Sequence, residues 1–100
     1  MNHTERLCLD GMQQTWESLA PVAVPRTKFC VAHFDNKEIL IIGGKDPDGQ
    51  RTDSIEVFDC SLNQWRQADF RLRKPRSGFA LVQLKNEEKL IIIGGNDGRV

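Results

Sequence analysis

The sequence of 100 residues has only three cysteines, no tyrosine and no long apolar run. Cys8, Cys30 and Cys60 are unevenly spaced and include no Cys-x-x-Cys pair, so they predict neither a disulfide framework nor a zinc site. The aliphatic blocks Ile39–Ile42 and Leu90–Ile93 are far shorter than the roughly 20 residues of a membrane helix. No secretory signal is visible at the start of the sequence. We therefore expect a cytoplasmic location with reduced cysteines and no membrane segment.

The sequence also lacks an excess of either charge, because 14 Lys and Arg residues balance 14 Asp and Glu residues. This balance argues against a protein whose main task is to bind nucleic acid or an anionic membrane. Catalytic patterns are absent as well, since no Ser/His/Asp, Cys/His or paired-carboxylate arrangement has a convincing context. The acidic segment Asp46–Gly49 lacks the third ligand and the closing Glu of a calcium loop, so it predicts a turn. We expect no cofactor, no metal site and no enzymatic activity.

The strongest positive signal is an internal repeat with a period of about 50 residues. Three pairs of segments recur in the same order: Leu7–Trp16 with Glu56–Trp65, Pro25–Phe29 with Pro75–Phe79, and Ile39–Gly44 with Leu90–Gly95. The offsets between the paired segments are 49, 50 and 51 residues. Chance does not readily place three landmarks in one order at one spacing. The chain therefore consists of two copies of one unit.

Each unit contains short apolar segments bounded by turn residues, which is typical of β-strands. We predict four strands in a unit, named A to D: Phe29–Phe34, Ile39–Ile42, Ser54–Phe58 and Trp65–Phe70. The same pattern predicts strands C and D at Leu7–Leu9 and Trp16–Leu19, and strands A and B at Phe79–Leu84 and Leu90–Ile93. The connections are too short for covering helices, which favours an antiparallel meander over a parallel sheet. A helix over Met12–Ala20 is the alternative, but its counterpart Ser61–Arg71 supports it poorly.

The landmarks of this repeat resemble those of the kelch family. They comprise an aliphatic run into Gly-Gly, an aromatic residue, a Trp, and a Pro-Arg pair that opens the next unit: Trp16, Arg26, Gly43, Gly44, Phe58, Trp65, Arg76, Gly94 and Gly95. The resemblance implies an all-β fold, namely a kelch-type β-propeller segment of about two four-stranded antiparallel blades. Residues 1-20 would supply strands C and D of a first blade, residues 21-70 a complete blade, and residues 71-100 strands A and B of a third. The two tryptophans are expected to anchor blade packing.

One end of the predicted blades has an excess of positive charge. Because successive turns of a meander alternate between its two ends, the B–C loops and the links between units share one end. That end has a net charge of +5 and the opposite end −3. In kelch-like substrate adaptors the corresponding loops form the partner-binding rim. By this resemblance the candidate rim residues are Thr27, Lys28, Lys45, Arg51, Ser77, Asn96 and Arg99. The charge predicts a protein partner with an acidic peptide segment.

The resemblance implies a protein–protein interaction module, used for substrate recognition by a ubiquitin ligase or for actin binding. Two alternatives stay open: a segment of a kelch-propeller enzyme of the sugar oxidase or epimerase type, and a non-functional truncation. A propeller needs roughly four to eight blades to close, so two units cannot close one. We therefore expect that further kelch blades or self-association complete the fold.

Overall fold

The computed structural model describes residues 3–10, 13–34, 37–84 and 89–98. It contains eight strands: β1 (Thr4–Asp10), β2 (Gln13–Leu19), β3 (Cys30–Phe34), β4 (Glu38–Ile42), β5 (Ile55–Asp59), β6 (Gln64–Gln67), β7 (Ala80–Leu84) and β8 (Lys89–Ile93). The chain is all-β over these ranges, and β2 lies where the alternative interpretation placed a helix. Accordingly, none of the described segments is an apolar helix of membrane-spanning length.

The strands form three antiparallel sheets in chain order. β1 pairs with β2, the middle sheet has the order β3-β4-β5-β6, and β7 pairs with β8. Each strand of the middle sheet pairs with the next along the chain, so this sheet is the predicted meander. The blade boundaries at residues 20 and 70 stay a prediction.

Strand D of the middle sheet is shorter than predicted, because β6 ends at Gln67 instead of Phe70. Leu72 is 8% exposed and joins the core, and its backbone N–H donates to the Asp53 carbonyl at 2.8 Å. The chain must leave the sheet edge to bring Leu72 inward. Phe70 consequently lies outside the sheet with 55% of its surface exposed.

The core lies between one face of the middle sheet and the β7–β8 hairpin. Its buried members are Ala32, Leu40, Ile42, Ile55, Val57, Leu72 and Phe79, with Leu81, Leu90 and Ile92 of the hairpin packed against them. Because side chains alternate between the two faces of a strand, Leu40 and Ile42 point into this core while Ile39 and Ile41 face the other side. Burying each large aliphatic side chain contributes about 1.5–3 kcal/mol.

The two repeated tryptophans have different surroundings. Trp65 packs against Phe58 with ring centroids 5.0 Å apart, and its indole N–H donates to the Ala20 carbonyl at 2.8 Å. It therefore ties the middle sheet to the preceding segment, as expected of an anchor. Trp16 is 65% exposed, so the described structure does not show the expected packing contact, and that role stays a prediction for Trp16.

The Pro-Arg and Gly-Gly landmarks meet at one end of the middle sheet. Arg26 donates from Nη1 to the carbonyls of Gly43 (3.0 Å) and Ser54 (3.1 Å), and from Nη2 to Ser54 Oγ (2.9 Å). Gly44 has φ +100°, and a Cβ on it would lie 2.6 Å from the Thr27 carbonyl oxygen. Only glycine fits this position without strain. The repeated motifs are thus contacts between segments that lie far apart in sequence.

Candidate functional site

The loops sort to the two ends of the middle sheet as the meander requires. At one end, the loop after β4 meets the link after β6, because the Gly44 N–H donates to the Arg76 carbonyl at 2.9 Å. At the other end the two turns meet, since the Cys60 N–H donates to the Lys37 carbonyl at 2.8 Å. The candidate rim residues within the described ranges all lie at the first of these two ends, where the loop after β4 meets the link after β6, and we call it the loop end. Arg99 lies outside the described residues.

Thr27, Lys45 and Arg51 lie side by side at this end. Thr27 and Lys45 exchange two backbone hydrogen bonds of 2.9 and 2.8 Å, and Lys45 forms a second antiparallel bridge with Arg51. These bridges extend the sheet past its regular strands and fix the backbones of three candidates relative to one another. Thr27 is exposed, while Lys45 and Arg51 are half-buried.

The third unit repeats this arrangement with Ser77 and Asn96. They exchange backbone hydrogen bonds of 3.0 and 2.9 Å, in the same way as Thr27 and Lys45. Lys28 joins the two units, because its carbonyl accepts the Gly78 N–H at 3.0 Å and its backbone is left-handed with φ 55°. Asn96 and Lys28 are exposed, but Ser77 is only 2% exposed. Ser77 can therefore support the rim but cannot contact a partner directly.

The loop between Lys45 and Arg51 has a fixed conformation. The Asp46 carboxylate accepts the backbone N–H groups of Asp48 and Gln50, both at 2.9 Å. The Asp46 N–H also donates to the Gln50 carbonyl at 2.9 Å, which closes the loop. This is the predicted turn, in which an Asp side chain caps its own backbone. No metal-binding cluster of His, Cys, Asp and Glu occurs among the residues that the structure describes.

Arg26 does not contribute to the exposed charge of this end, although it was one of the basic residues counted in the net charge of +5 obtained from the sequence. It forms an ion pair with Glu56 at 3.2 Å, and the two side chains are 1% and 2% exposed. Burial lowers the pKa of the Arg26 guanidinium and raises the pKa of the Glu56 carboxyl, while the charge of each partner opposes the shift in the other. Glu56 was not singled out from the sequence. The available signal was a lone acid inside the apolar strand Ile55–Phe58.

The described loop end keeps a positive charge after these corrections. Arg71 pairs with Asp53 at 2.9 Å, so this pair also cancels. Six basic residues remain against three acidic ones, a net charge of +3: Lys28, Lys45, Arg51, Arg73, Lys74 and Arg76 against Asp46, Asp48 and Asp97. A depression of about 80 Å³ lies among them, lined by Pro25, Arg26, Thr27, Lys45, Asp46 and Pro47. It has room for one small side chain.

The arrangement of the sheets defines the class of fold. The middle sheet is a complete four-stranded antiparallel meander, and one of its faces packs against the β7–β8 sheet. The chain is an incomplete segment of a β-propeller. A solved structure, that of YjhT, superposes on 94% of this chain and 28% of its own length with a TM-score of 0.77 and 18% identity.

The sequence comparisons name the family. The Kelch motif model matches residues 26–68. Kelch-like protein 33 from Homo sapiens is 33% identical over 86 residues, which is 86% of this chain and 15% of that protein. Kelch-like protein 28 from Homo sapiens is 29% identical over 105 aligned positions, covering 92% of this chain and 18% of that protein. The chain contains a Kelch motif and is similar to kelch-like proteins, and it spans less than a fifth of the length of these curated relatives.

Proposed function

We propose that this chain is a cytoplasmic protein-interaction module rather than a catalyst, and that its loop end binds an acidic peptide segment. The observation that carries the proposal is the excess of basic side chains on that end. Lys28, Lys45 and Arg51 are the central residues, because two of them share a bridged backbone and Lys28 connects the adjoining unit. Charge-assisted hydrogen bonds from these side chains to carboxylates would supply both orientation and affinity.

The rim is suited to binding because its backbone is already ordered. Bridges hold Thr27 against Lys45 and Lys45 against Arg51, and the Asp46 carboxylate fixes the loop between them. A ligand therefore meets cationic side chains that are carried on an ordered backbone, which lowers the entropy lost on binding. The depression beside Thr27 and Lys45 would receive one side chain of the peptide.

The wider role proposed for the module is either substrate recognition for a ubiquitin ligase or the binding of actin. Both roles require a surface that recognises another protein, and the basic rim meets that requirement. An enzyme of the kelch-propeller type is the competing function. It would require a cluster of catalytic side chains, whereas the rim residues Thr27, Lys28 and Asn96 suit recognition better than catalysis.

The proposal is tested by the affinity for a fluorescent peptide rich in Asp and Glu, followed by anisotropy at several salt concentrations. We expect Lys28→Glu and Lys45→Glu each to weaken binding at least tenfold and to flatten its salt dependence. Lys37→Glu makes the same change of charge on an exposed residue at the opposite end and should leave the affinity within twofold. Equal effects of all three variants would show that net charge alone governs binding, and the rim assignment would then be wrong.

A further inference from the structure

The β7–β8 hairpin exposes apolar side chains on the face that points away from the core. Val82, Ile91 and Ile93 are 43%, 44% and 56% exposed. We call these three residues the tail surface. Their counterparts one repeat earlier are core residues that are at most 3% exposed: Ala32, Leu40 and Ile42. The repeat therefore places side chains suited to a blade interface at positions where no described part of the chain covers them.

A complementary cleft lies at the other side of the molecule, between the β1–β2 hairpin and the middle sheet. Its volume is about 480 Å³, and we call it the head cleft. The second face of the middle sheet supplies Val31, Ile39 and Ile41, and Val31 is 53% exposed. Residues Thr4–Arg6 of β1 line the same cleft. Among the described strands, β1 pairs only with β2, so its other edge is not paired with a strand.

The molecule already contains a template for how such surfaces meet. Ala32, Leu40 and Ile42 pack on the residues of the β7–β8 hairpin that are the repeat counterparts of Val31, Ile39 and Ile41, namely Leu81, Leu90 and Ile92. If the same contact is formed between two molecules, with each surface replaced by its repeat counterpart, the tail surface of one molecule packs in the head cleft of the other. The two partners would then be related to each other as the middle sheet is related to the β7–β8 hairpin.

Strand pairing extends the same template. In the middle sheet, Leu40 of β4 pairs with Val57 of β5, and Ile42 pairs with Ile55. The repeat offsets convert these pairs into Ile91 with Cys8 and Ile93 with Arg6. A hairpin placed in the head cleft would therefore pair β8 with β1 and complete a four-stranded sheet. Backbone hydrogen bonds along this edge would fix the register of the contact.

The charges at this contact are complementary. Arg76 donates one hydrogen bond to the Gly94 carbonyl at 3.2 Å, and its buried Nε has no hydrogen-bond partner among the described residues. Its counterpart Arg26 bonds to Ser54, and the first-unit position that corresponds to Ser54 is the exposed Glu5. The β8–β1 pairing would therefore bring Glu5 to Arg76.

We propose that a second copy of this chain docks its tail surface into the head cleft, so that copies associate head to tail. The contact is heterologous, and each copy keeps a free head or tail until a ring closes. Each copy supplies two repeat units, and propellers close with about four to eight blades. The expected assemblies are therefore rings of two to four copies.

The test measures the mass of the full chain by light scattering and sedimentation. The tail variant Ile91→Glu/Ile93→Glu and the head variant Val31→Glu should each be a monomer of 11.4 kDa. Their mixture should form a 1:1 heterodimer, because one variant keeps its head cleft and the other keeps its tail surface. Leu62→Glu, at a residue that is 64% exposed and outside both surfaces, is the matched control and should assemble like the unmodified chain.

A monomeric unmodified chain at 100 µM would overturn the proposal and assign the two surfaces to further blades of a longer polypeptide. Continued dimerisation of Val31→Glu alone would also overturn it, since a tail-to-tail contact would then explain the assembly. Glu5→Lys provides a milder variant if the others fail to fold. We expect it to weaken assembly at least fivefold, whereas Asp69→Lys, an equal charge change at another exposed residue, should have no effect. Equal behaviour of these two variants would contradict the Glu5–Arg76 contact.

Discussion

Replacing Arg26 with methionine keeps a long side chain and removes three hydrogen bonds and one ion pair from the end of the middle sheet. The change leaves the Glu56 carboxylate buried without a counter-charge, and it leaves the carbonyls of Gly43 and Ser54 without this donor. Because the two ionic side chains are 1% and 2% exposed, water cannot readily take the place of the guanidinium. The variant therefore isolates the contribution of one repeat landmark.

The expected cost follows from what is left unpaired. Removing one partner of a buried ion pair destabilises a protein by about 3–5 kcal/mol. An unsatisfied buried carbonyl costs about 1–3 kcal/mol, but these costs overlap because the site relaxes around the change. We expect Arg26→Met to lower the free energy of unfolding by about 4 kcal/mol, a large part of the 5–15 kcal/mol typical of a domain.

The destabilisation caused by Arg26→Met should change with pH in a direction that can be checked. Burial raises the pKa of Glu56, and Arg26 opposes that shift, so removing Arg26 raises this pKa further. A carboxyl whose pKa is raised on folding contributes stability at low pH that is lost as pH rises through the folded pKa. The deficit of Arg26→Met should therefore be smaller at pH 5 than at pH 8. Adding Glu56→Gln removes the unpaired charge and should recover roughly 2 kcal/mol at pH 8.

Urea unfolding at a fixed protein concentration, followed by tryptophan fluorescence, measures these differences. Arg66→Met is the matched control, because Arg66 forms a shorter ion pair of 2.6 Å with Glu38, but the side chains are 55% and 37% exposed. An exposed pair contributes less than about 1 kcal/mol. The reasoning fails if Arg26→Met costs no more than Arg66→Met, or if the added Glu56→Gln destabilises the variant further.

Two further predictions rest on contacts of the first hairpin and the middle sheet. Trp65→Phe keeps an aromatic ring but loses the 2.8 Å hydrogen bond to the Ala20 carbonyl, so it should lower the unfolding free energy by about 1 kcal/mol. Trp16→Phe changes a residue that is 65% exposed and should be neutral in the same urea assay. Equal costs of the two variants would contradict the anchoring role of Trp65. The Cys8 thiol donates a hydrogen bond to the Glu17 carboxylate, with 3.0 Å between Sγ and Oε1, and this bond raises the pKa of Cys8. Glu17→Gln should therefore shift the pH profile of Cys8 alkylation, measured by mass spectrometry, to lower pH, and an unchanged profile would refute this coupling.

The sequence repeat predicted the order of the strands because each strand and each turn is marked by residues of its own segment. Aliphatic runs and turn residues mark β4 and β8, and the described strands begin and end within a few residues of the predicted positions. The predicted end of β6 was wrong by three residues. The chain leaves the sheet early because Leu72 must reach the core, and not because of a local turn signal in the sequence. Tertiary packing of this kind has no signature in the strand itself.

The candidate site was less accessible to sequence reasoning. The resemblance to kelch-like adaptors grouped Thr27, Lys45 and Ser77 as candidates, but it could not distinguish an exposed side chain from the 2% exposed Ser77. Counting charges by loop also included Arg26 in the net charge of that end, although Arg26 is buried in an ion pair with Glu56. Burial depends on how one unit packs against the next, and a pattern within a single unit does not contain that information.

The proposed assembly and the proposed rim are coupled through the repeat geometry. If β8 of one copy pairs with β1 of another as β4 pairs with β5, the loop ends of both copies point in the same direction. A head-to-tail ring would then gather the Lys28, Lys45 and Arg51 sets of all its copies on one side. An acidic partner with several binding segments would engage such a ring with much higher avidity than a single copy, because each later contact is intramolecular. Variants of the tail surface should therefore reduce binding of a multivalent acidic partner while leaving the affinity for a single short peptide unchanged.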